Sequence, residues 1–521
     1  MLRSPGTPRF CILVFLLLQQ THLTNPTVGV THPLTVYVSS LLPTTVPLPT
    51  FYLFSEREIL YGTSLEDALS QKLSSLEQEF ETLREATESM DWCRRIWWDP
   101  VETNSDASGN VISQGPSMRG NDGLRFSDWL HLDSLYRSRA LDLPGTGHAM
   151  VPCVDMANHA SGDETSALYE TDKDGNAVLQ FIPYRRHRNS ASDSIPTENI
   201  TTKEGTWEAR TVKRDQEITI SYGDEKGASE MLYSYGFLEE GMTGARQLFL
   251  DLDMMEDDPL AIVKKRVCDC APGVRLFERK GKGSKITGLM GMAQDDFSHE
   301  ETKITTERED NSLLPTTDPK QGPSSSDFDS LPEISWESPY LLWTALNEED
   351  GLNFTVTRPP LTSSSSEPPE PPALHVLWQN EPLPDPSILP TTLLPRSPKY
   401  PVFLLRAELL LLNRINNQLS RLEGSEEAFQ DVRENAQQEG IRIKVWKQIR
   451  KLRDLELTFL RTAKEGCQSR VEVLMKEKVL REYLSGGGEE GRQGAELVNN
   501  GAGEDDIEAR QAEGAEEEDF S

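Results

Sequence analysis

VPCVDMANHASGD, Val151 to Asp163, carries an apolar run into Asp155, Asn158 and His159. Short apolar runs read as buried strands, and one that closes on side chains rich in donors and acceptors delivers them either to a site or to a buried turn. Asn and His are common in turns, where they satisfy backbone groups, so the stretch alone leaves both readings open. What stands on either side decides between them.

Downstream the chain reads as short strands. ALYETDKDGNAVLQF has apolar residues in both arms and Asp174 and Gly175 between them, the pattern of a β-hairpin. A polar insertion over 185–204 precedes WEARTVKRDQEITISYGD, which alternates well enough for one or two more strands. That segment ends at Tyr222 and turns through Gly223; in YSYGF, Tyr235 again precedes a glycine, Gly236, and then Phe237. Two Tyr-Gly pairs bracketing a helical turn would bring two phenols together, close to Asn158 and His159 if the strands are neighbours.

Upstream the chain reads as helices. Ser55 with Glu58, and Thr63 with Glu66, have the spacing of capping boxes, so two successive helices are expected to start there. In the second, Leu65, Leu69, Leu73, Leu76, Phe80 and Leu83 recur at steps of four and three and form one apolar face. RRIWWD, Arg94 to Asp99, continues the helical layer, 101–123 reads as a polar loop, and a further helix is expected over 126–141 with Phe126, Trp129, Leu130 and Tyr136 on one side. Helices followed by irregular short strands make an α+β arrangement.

Taken together, these residues resemble a SET-domain methyltransferase of the branch typified by the Rubisco large-subunit lysine methyltransferase and its fungal ribosomal-protein relatives. The family pattern is an SR, then VPxxDxxNH, then a strand ending in YG and a second YGF. Here it stands as Ser138 and Arg139, VPCVDMANH, ISYGD and YSYGF, in family order. LPTFYLFSEREILYGTSLEDA, with Gly62 and Thr63, resembles the helical insertion that these enzymes carry inside the SET fold. The likeness covers roughly residues 10 to 240.

The resemblance implies S-adenosylmethionine as methyl donor and a lysine side chain of a protein as acceptor. It implies that Asn158 and His159 hold the cofactor, that Tyr222 aligns amine and methyl group through its hydroxyl, and that Tyr235 completes an aromatic wall against cofactor or channel. Arg139 and Asp155 match positions that border the target lysine, Arg139 through its backbone carbonyl. The chemistry suits such residues: a lysine amine, whose ordinary pKa is about 10.4, must arrive neutral, and a narrow apolar channel favours the uncharged form. Read singly, Tyr222 and Tyr235 are equally core tyrosines and Arg139 a surface ion pair; the four motifs in order weigh against that.

One family element has no counterpart. These enzymes carry a Gly-rich turn for the methionine end of the cofactor, and neither RSPGTP nor anything else before FCILVFLLL matches it. FCILVFLLL, Phe10 to Leu18 after Arg3 and Arg9, has the length of a signal-peptide core, but it falls where the family places a buried helix, and a core helix is the expected outcome. The chain then reads as an N-terminally incomplete SET domain over 1–240, with the insertion at about 51–140.

Residues 241–484 resemble the family's helical substrate-binding domain. LLRAELLLLNRINNQL and IRIKVWKQIRKLRDLELTFL have helical periodicity, with Val445, Ile449, Leu452 and Phe459 on one stripe. Two segments rich in Ser, Pro and acids, at about 296–335 and 358–398, are expected to be disordered loops, and 485–521, with twelve acids against Arg492 and Arg510, a disordered acidic tail.

The 521-residue chain is 36% apolar and 26% charged, with a formal net charge of −32. That charge argues against nucleic-acid backbones as partners and suits a basic protein substrate. No segment calls for a membrane partner, and a monomer is the economical assumption. Six cysteines lie apart except Cys268 and Cys270, too close for an ordinary disulfide and too few for a zinc site, so reduced thiols in the cytoplasm or nucleus and no metal are expected. Two functions of different class follow: a protein-lysine methyltransferase acting on a non-histone protein such as a ribosomal protein, or a catalytically inactive SET-fold module that binds protein.

Overall fold

The computed structural model describes residues 7–99, 123–143, 147–182, 184–185, 207–208, 212–223, 225–255, 257–279, 334–357, 373–435 and 440–486. Most of the polar loop at 101–123, most of the insertion at 185–204, the stretches 296–333 and 358–372 and nearly all of the acidic tail lie outside these residues. Helices and small sheets are mixed, as an α+β chain requires.

Two compact units divide the chain, one formed by Met1–Phe249, Leu276–Thr302 and Asn417–Arg461, the other by Leu250–Arg275, Lys303–Asn416 and Thr462–Ser521. A stretch far along the chain, Asn417–Arg461, belongs to the first unit. The reason lies in buried polar contacts that periodicity cannot reveal. Gln418 Nε2 donates to the Gly62 carbonyl at 2.5 Å, Arg453 Nη1 to the Tyr61 carbonyl at 2.7 Å, and the Glu56 carboxylate takes both N–H and side chain of Arg442. Gly62 has a φ of +81°, and a Cβ there would meet the Arg421 backbone at 2.9 Å, so only glycine allows that approach.

In the first unit, Thr7 caps the helix Pro8–Thr24 by accepting from Phe10 N–H at 3.3 Å. Leu13, Leu16 and Leu17, at most 2% exposed, face the core, and burial of such side chains contributes about 1.5–3 kcal/mol each. FCILVFLLL is thus a core helix, and no helix among the described residues is long and apolar enough to cross a membrane. Ser64–Thr87 buries Leu65, Leu69, Leu76 and Leu83, the last two in the core that Leu13, Leu16 and Leu17 enter, and Phe126–Arg139 adds Trp129, Leu132 and Leu135 to it. Arg94–Trp98 forms a wide helical turn that sets Trp97 into it.

The two helix starts fall where expected but are capped differently. Phe54–Glu58 begins two positions earlier than a Ser55 cap implies, so Glu56 rather than Glu58 is the capping acid and accepts from the Leu53 N–H, at 2.9 Å. Thr63 precedes Ser64–Thr87, yet its hydroxyl donates to the Leu60 carbonyl at 2.7 Å, while Glu66 accepts from Gly62 N–H at 2.8 Å.

The strands that position the site make a four-stranded sheet in the order Asn158–His159, Thr219–Ile220, Ala167–Thr171, Ala177–Phe181. Asn158–His159 runs parallel to Thr219–Ile220, and the last two strands form the expected hairpin around Asp174 and Gly175. Leu141–Leu143 pairs antiparallel with Gly147–Ala149, and Trp207–Glu208 with Tyr184–Arg185.

In the second unit, Leu352–Thr357, Ala373–Trp378 and Glu381–Leu383 form an antiparallel sheet, and Leu389–Leu393 and Leu394–Arg396 are helical turns. Hence 373–398 is structured, against its expected disorder, as is Ile334–Glu337 at the end of the other proline-rich stretch. Pro382 misleads because it stands on an edge strand, where its missing N–H costs no ladder bond. The Cys268 and Cys270 Cα atoms lie 5.5 Å apart and the two thiols are joined in a disulfide, which corrects the reading of both as reduced.

Candidate active site

The Phe126–Arg139 helix ends at Arg139, and the chain passes through Leu141–Leu143 and Gly147–Ala149 to a turn at Val154–Met156 that buries Asp155. Asn158–His159 then pairs with Thr219–Ile220, so Tyr222, two residues on, emerges beside His159. Tyr235 closes the helix Ala228–Tyr235, which Gly236 terminates in the left-handed conformation at φ +77°. A Cβ on Gly236 would lie 2.5 Å from the Pro47 carbonyl oxygen, so the glycine is needed for its turn and for that approach.

Both Tyr-Gly segments therefore meet. The Tyr222 and Tyr235 ring centroids are 4.4 Å apart and tilted by 34°; the His159 ring lies 5.1 Å from Tyr222, and Phe237 is within 6.5 Å of all three. The Tyr222 hydroxyl donates to the Ala157 carbonyl at 2.9 Å and its backbone N–H to His159 Nδ1 at 3.1 Å. Burial raises both phenols above their ordinary value, with Arg139 opposing the rise at Tyr222, so they stay protonated and able to donate.

Arg139 and Asp155 stand on the other side. Arg139 Nη1 donates to the Asp155 carbonyl at 3.1 Å, so here the guanidinium is engaged, beyond the backbone role expected. The Tyr37 hydroxyl donates to Asp155 Oδ2, whereas Asp155 Oδ1 and Arg139 Nε are buried without a partner. Burial raises the Asp155 carboxyl above its usual range against the opposing pull of Tyr37 and Arg139. Between the two sides runs a cleft with room for about 40 Å³, lined by Arg139, Asp155, Ala157, Tyr169, Tyr222 and Tyr235 among others. Such a volume admits one or two waters or the end of a side chain, and no nucleoside.

Of the six residues singled out, the structure brings Arg139, Asp155, Tyr222 and Tyr235 onto this cleft. His159 backs Tyr222, and Asn158, exposed, donates from Nδ2 to Glu217 at 2.6 Å outside it. Sequence reasoning missed Tyr37, which lies 118 positions from Asp155 in a stretch without a signal, and Lys226, which lines the cleft and pairs with Glu230. It also missed Glu239, although two acids directly after YGFL were a visible cue.

No protein-family model matches the chain. The chain is similar to SET domain-containing protein 8 of Schizosaccharomyces pombe, 21% identical over 319 residues, which is 60% of this chain and 48% of that protein; it thus spans about half the length of the curated relative it matches. Among solved structures it is similar to the SET domain of LSMT bound to methyllysine and S-adenosylhomocysteine, with a TM-score of 0.49 and 16% identity over 95% of this chain and 83% of that one. Rubisco LSMT bound to S-adenosylmethionine gives a TM-score of 0.45 and 14% identity over the same shares. Both scores lie under 0.5, and the reading of the site stands on its own geometry.

Proposed function

We propose that the chain is an S-adenosylmethionine-dependent protein-lysine N-methyltransferase. The observation that carries this reading is the Tyr222–Tyr235 pair, 4.4 Å apart, at a cleft too narrow for more than a side-chain end and backed by buried, unpartnered polar atoms of Asp155 and Arg139. The likeness to a SET domain-containing protein and the order of the four motifs agree with it.

The residues present fit the reacting end of the donor, because aromatic faces such as those of Tyr222 and Tyr235 attract a sulfonium cation as they do other onium groups. Tyr222 and Tyr235 would hold that end at the cleft, with Asn158 and His159 on the adjoining strand for the rest of the donor, and when bound it supplies an electrophilic methyl group. The chain's own work is orientation. Aromatic and apolar walls disfavour the ammonium form of an entering lysine and so raise the share of neutral amine. Asp155 Oδ1 and Arg139 border that amine, and Tyr222, fixed by its two hydrogen bonds, holds it in line, which is where a displacement gains most.

A basic protein is the substrate class that the net charge of −32 favours, and a non-histone protein such as a ribosomal protein is the candidate we propose within it. The test is calorimetric titration with S-adenosylmethionine, together with methyl transfer to lysine-containing basic peptides by the wild type and Tyr222→Phe. Binding by both, with transfer lowered on the order of a hundredfold or more in the variant, supports the enzyme. Peptide binding without cofactor binding would leave the inactive docking module instead.

A further inference from the structure

The cleft is held from behind by a chain of contacts, of which the methyl-transfer reading uses only the first. His159 Nδ1 accepts from the Tyr222 backbone N–H at 3.1 Å, and His159 Nε2 meets Glu239 Oε1 at 3.1 Å. Arg246 donates to both oxygens of Glu239, Nη1 to Oε1 at 2.9 Å and Nη2 to Oε2 at 2.8 Å. A backbone N–H needs a lone pair on Nδ1, so the imidazole carries its proton on Nε2 and donates it to Glu239. Glu239 as acceptor favours that tautomer from the other side of the ring, and the two-pronged guanidinium contact holds its carboxylate in place. Burial would raise the Glu239 carboxyl, but the hydrogen bonds from Arg246 and His159 outweigh it and the net shift is downward.

Two further features show that the fold sustains this arrangement. Arg246 is one of five non-glycine residues with positive φ among those described, at +62°, a conformation that costs a side chain free energy and persists where surroundings impose it. The segment bearing Glu239 is also pinned: Lys451 Nζ donates to its carbonyl at 2.5 Å and Gln448 Oε1 accepts from Leu238 N–H at 3.0 Å.

We propose that Glu239 and Arg246 are positioning residues, which lock His159 in the tautomer that docks the Tyr222 backbone and so set the phenol against Tyr235. The proposal rests on the methyl-transfer reading for its kinetic consequence, but its structural core is open to test without activity. The ring nitrogens of ¹⁵N-histidine-labelled protein, with His159 assigned by loss of its signal in His159→Gln, report the tautomer directly, and amide exchange at Tyr222 reports the docked backbone. Wild type should show the Nε2–H form alone and a protected Tyr222 amide. Glu239→Ala should give mixed tautomers and faster exchange, and Glu239→Gln, which keeps an acceptor oxygen, should restore most of both. Arg246→Gly removes the guanidinium while leaving the Glu239 carboxylate an acceptor, so it should keep the Nε2–H form but speed exchange at the Tyr222 amide as the unclamped carboxylate loosens its hold on His159.

With S-adenosylmethionine and a synthetic basic lysine peptide, kcat should fall about tenfold to a hundredfold in Glu239→Ala, the usual cost of stranding a buried hydrogen-bonding group, with peptide KM within about twofold. A wild-type His159 signal in Glu239→Ala, or an unchanged Tyr222 amide in Arg246→Gly, overturns the proposal. Should the wild type transfer no methyl group while the tautomer responds as stated, the methyl-transfer reading fails and the positioning role stands.

Discussion

Glu456 shows how a single residue couples pH to the fold. Its side chain lies buried, with Ser64 donating to it from N–H at 3.0 Å and from its hydroxyl at 2.5 Å, and burial pushes its pKa up to about 7 despite these bonds and the nearby Arg453. Arg453, also buried, is shifted downward by desolvation, so at both partners loss of water outweighs mutual attraction. An acid whose pKa is raised on folding binds a proton more tightly in the folded state, so its contribution is complete below the unfolded value and is lost as pH rises through the folded one. The window here runs from about 4.5 to about 7, with a loss on the order of 3 kcal/mol at its end. Thermal melts should therefore show the wild type losing stability from pH 5 to pH 8 while Glu456→Gln, which stays neutral and can still accept from Ser64, changes much less. Equal pH profiles would mean that the carboxyl titrates normally.

Among elements, one carboxylate ties three helices together. Asp133 on Phe126–Arg139 is fully buried and meets Arg137 at 2.7 Å, Lys72 of Ser64–Thr87 at 3.4 Å, and Arg9 of Pro8–Thr24. Burial would raise its pKa, but Arg137, Lys72 and Arg9 together drive it well below the usual carboxylate range. Removing the charge leaves three cations facing an amide, so Asp133→Asn should cost about 3–5 kcal/mol in urea unfolding, and a loss under about 1 kcal/mol would show that the cluster carries little. The elements in this core were legible because local pattern and burial agree: the leucine spacing of 65–83 is the face that Leu65, Leu69, Leu76 and Leu83 bury. The two Tyr-Gly pairs were legible because each glycine stands at a turn of positive φ, with Tyr235 at the end of its helix and Tyr222 two residues past its strand. The strand Ala373–Trp378 was not, because its proline-rich flanks carry the sign of disorder while its partner, Leu352–Thr357, lies on the far side of them. Tyr37, Glu239 and Arg246 escaped for a related reason: their meaning comes from partners 118, 80 and 7 positions away through side chains, and neither composition nor period encodes such pairings.

For the whole molecule the dominant quantity is charge. A net charge of −32 spread over 521 residues makes a long-range field that attracts cations and repels nucleic-acid backbones, and 485–521 alone supplies −10 of it. Such a field acts on encounter, because it extends about 10 Å at 0.1 M salt and is gone before chemistry begins. If the substrate is a basic protein, kcat/KM on a lysine-rich peptide should fall about tenfold or more between 0.02 M and 0.3 M salt while kcat stays level. Deleting 485–521 takes the net charge from −32 to −22, and should lower kcat/KM at low salt and flatten its salt dependence without altering kcat. A peptide of net charge zero serves as the control and should show neither effect. Were kcat/KM on the basic peptide indifferent to salt, the acidic surface would have no part in recruitment, and substrate choice would have to come from short-range contacts around Arg139 and Asp155 at the cleft.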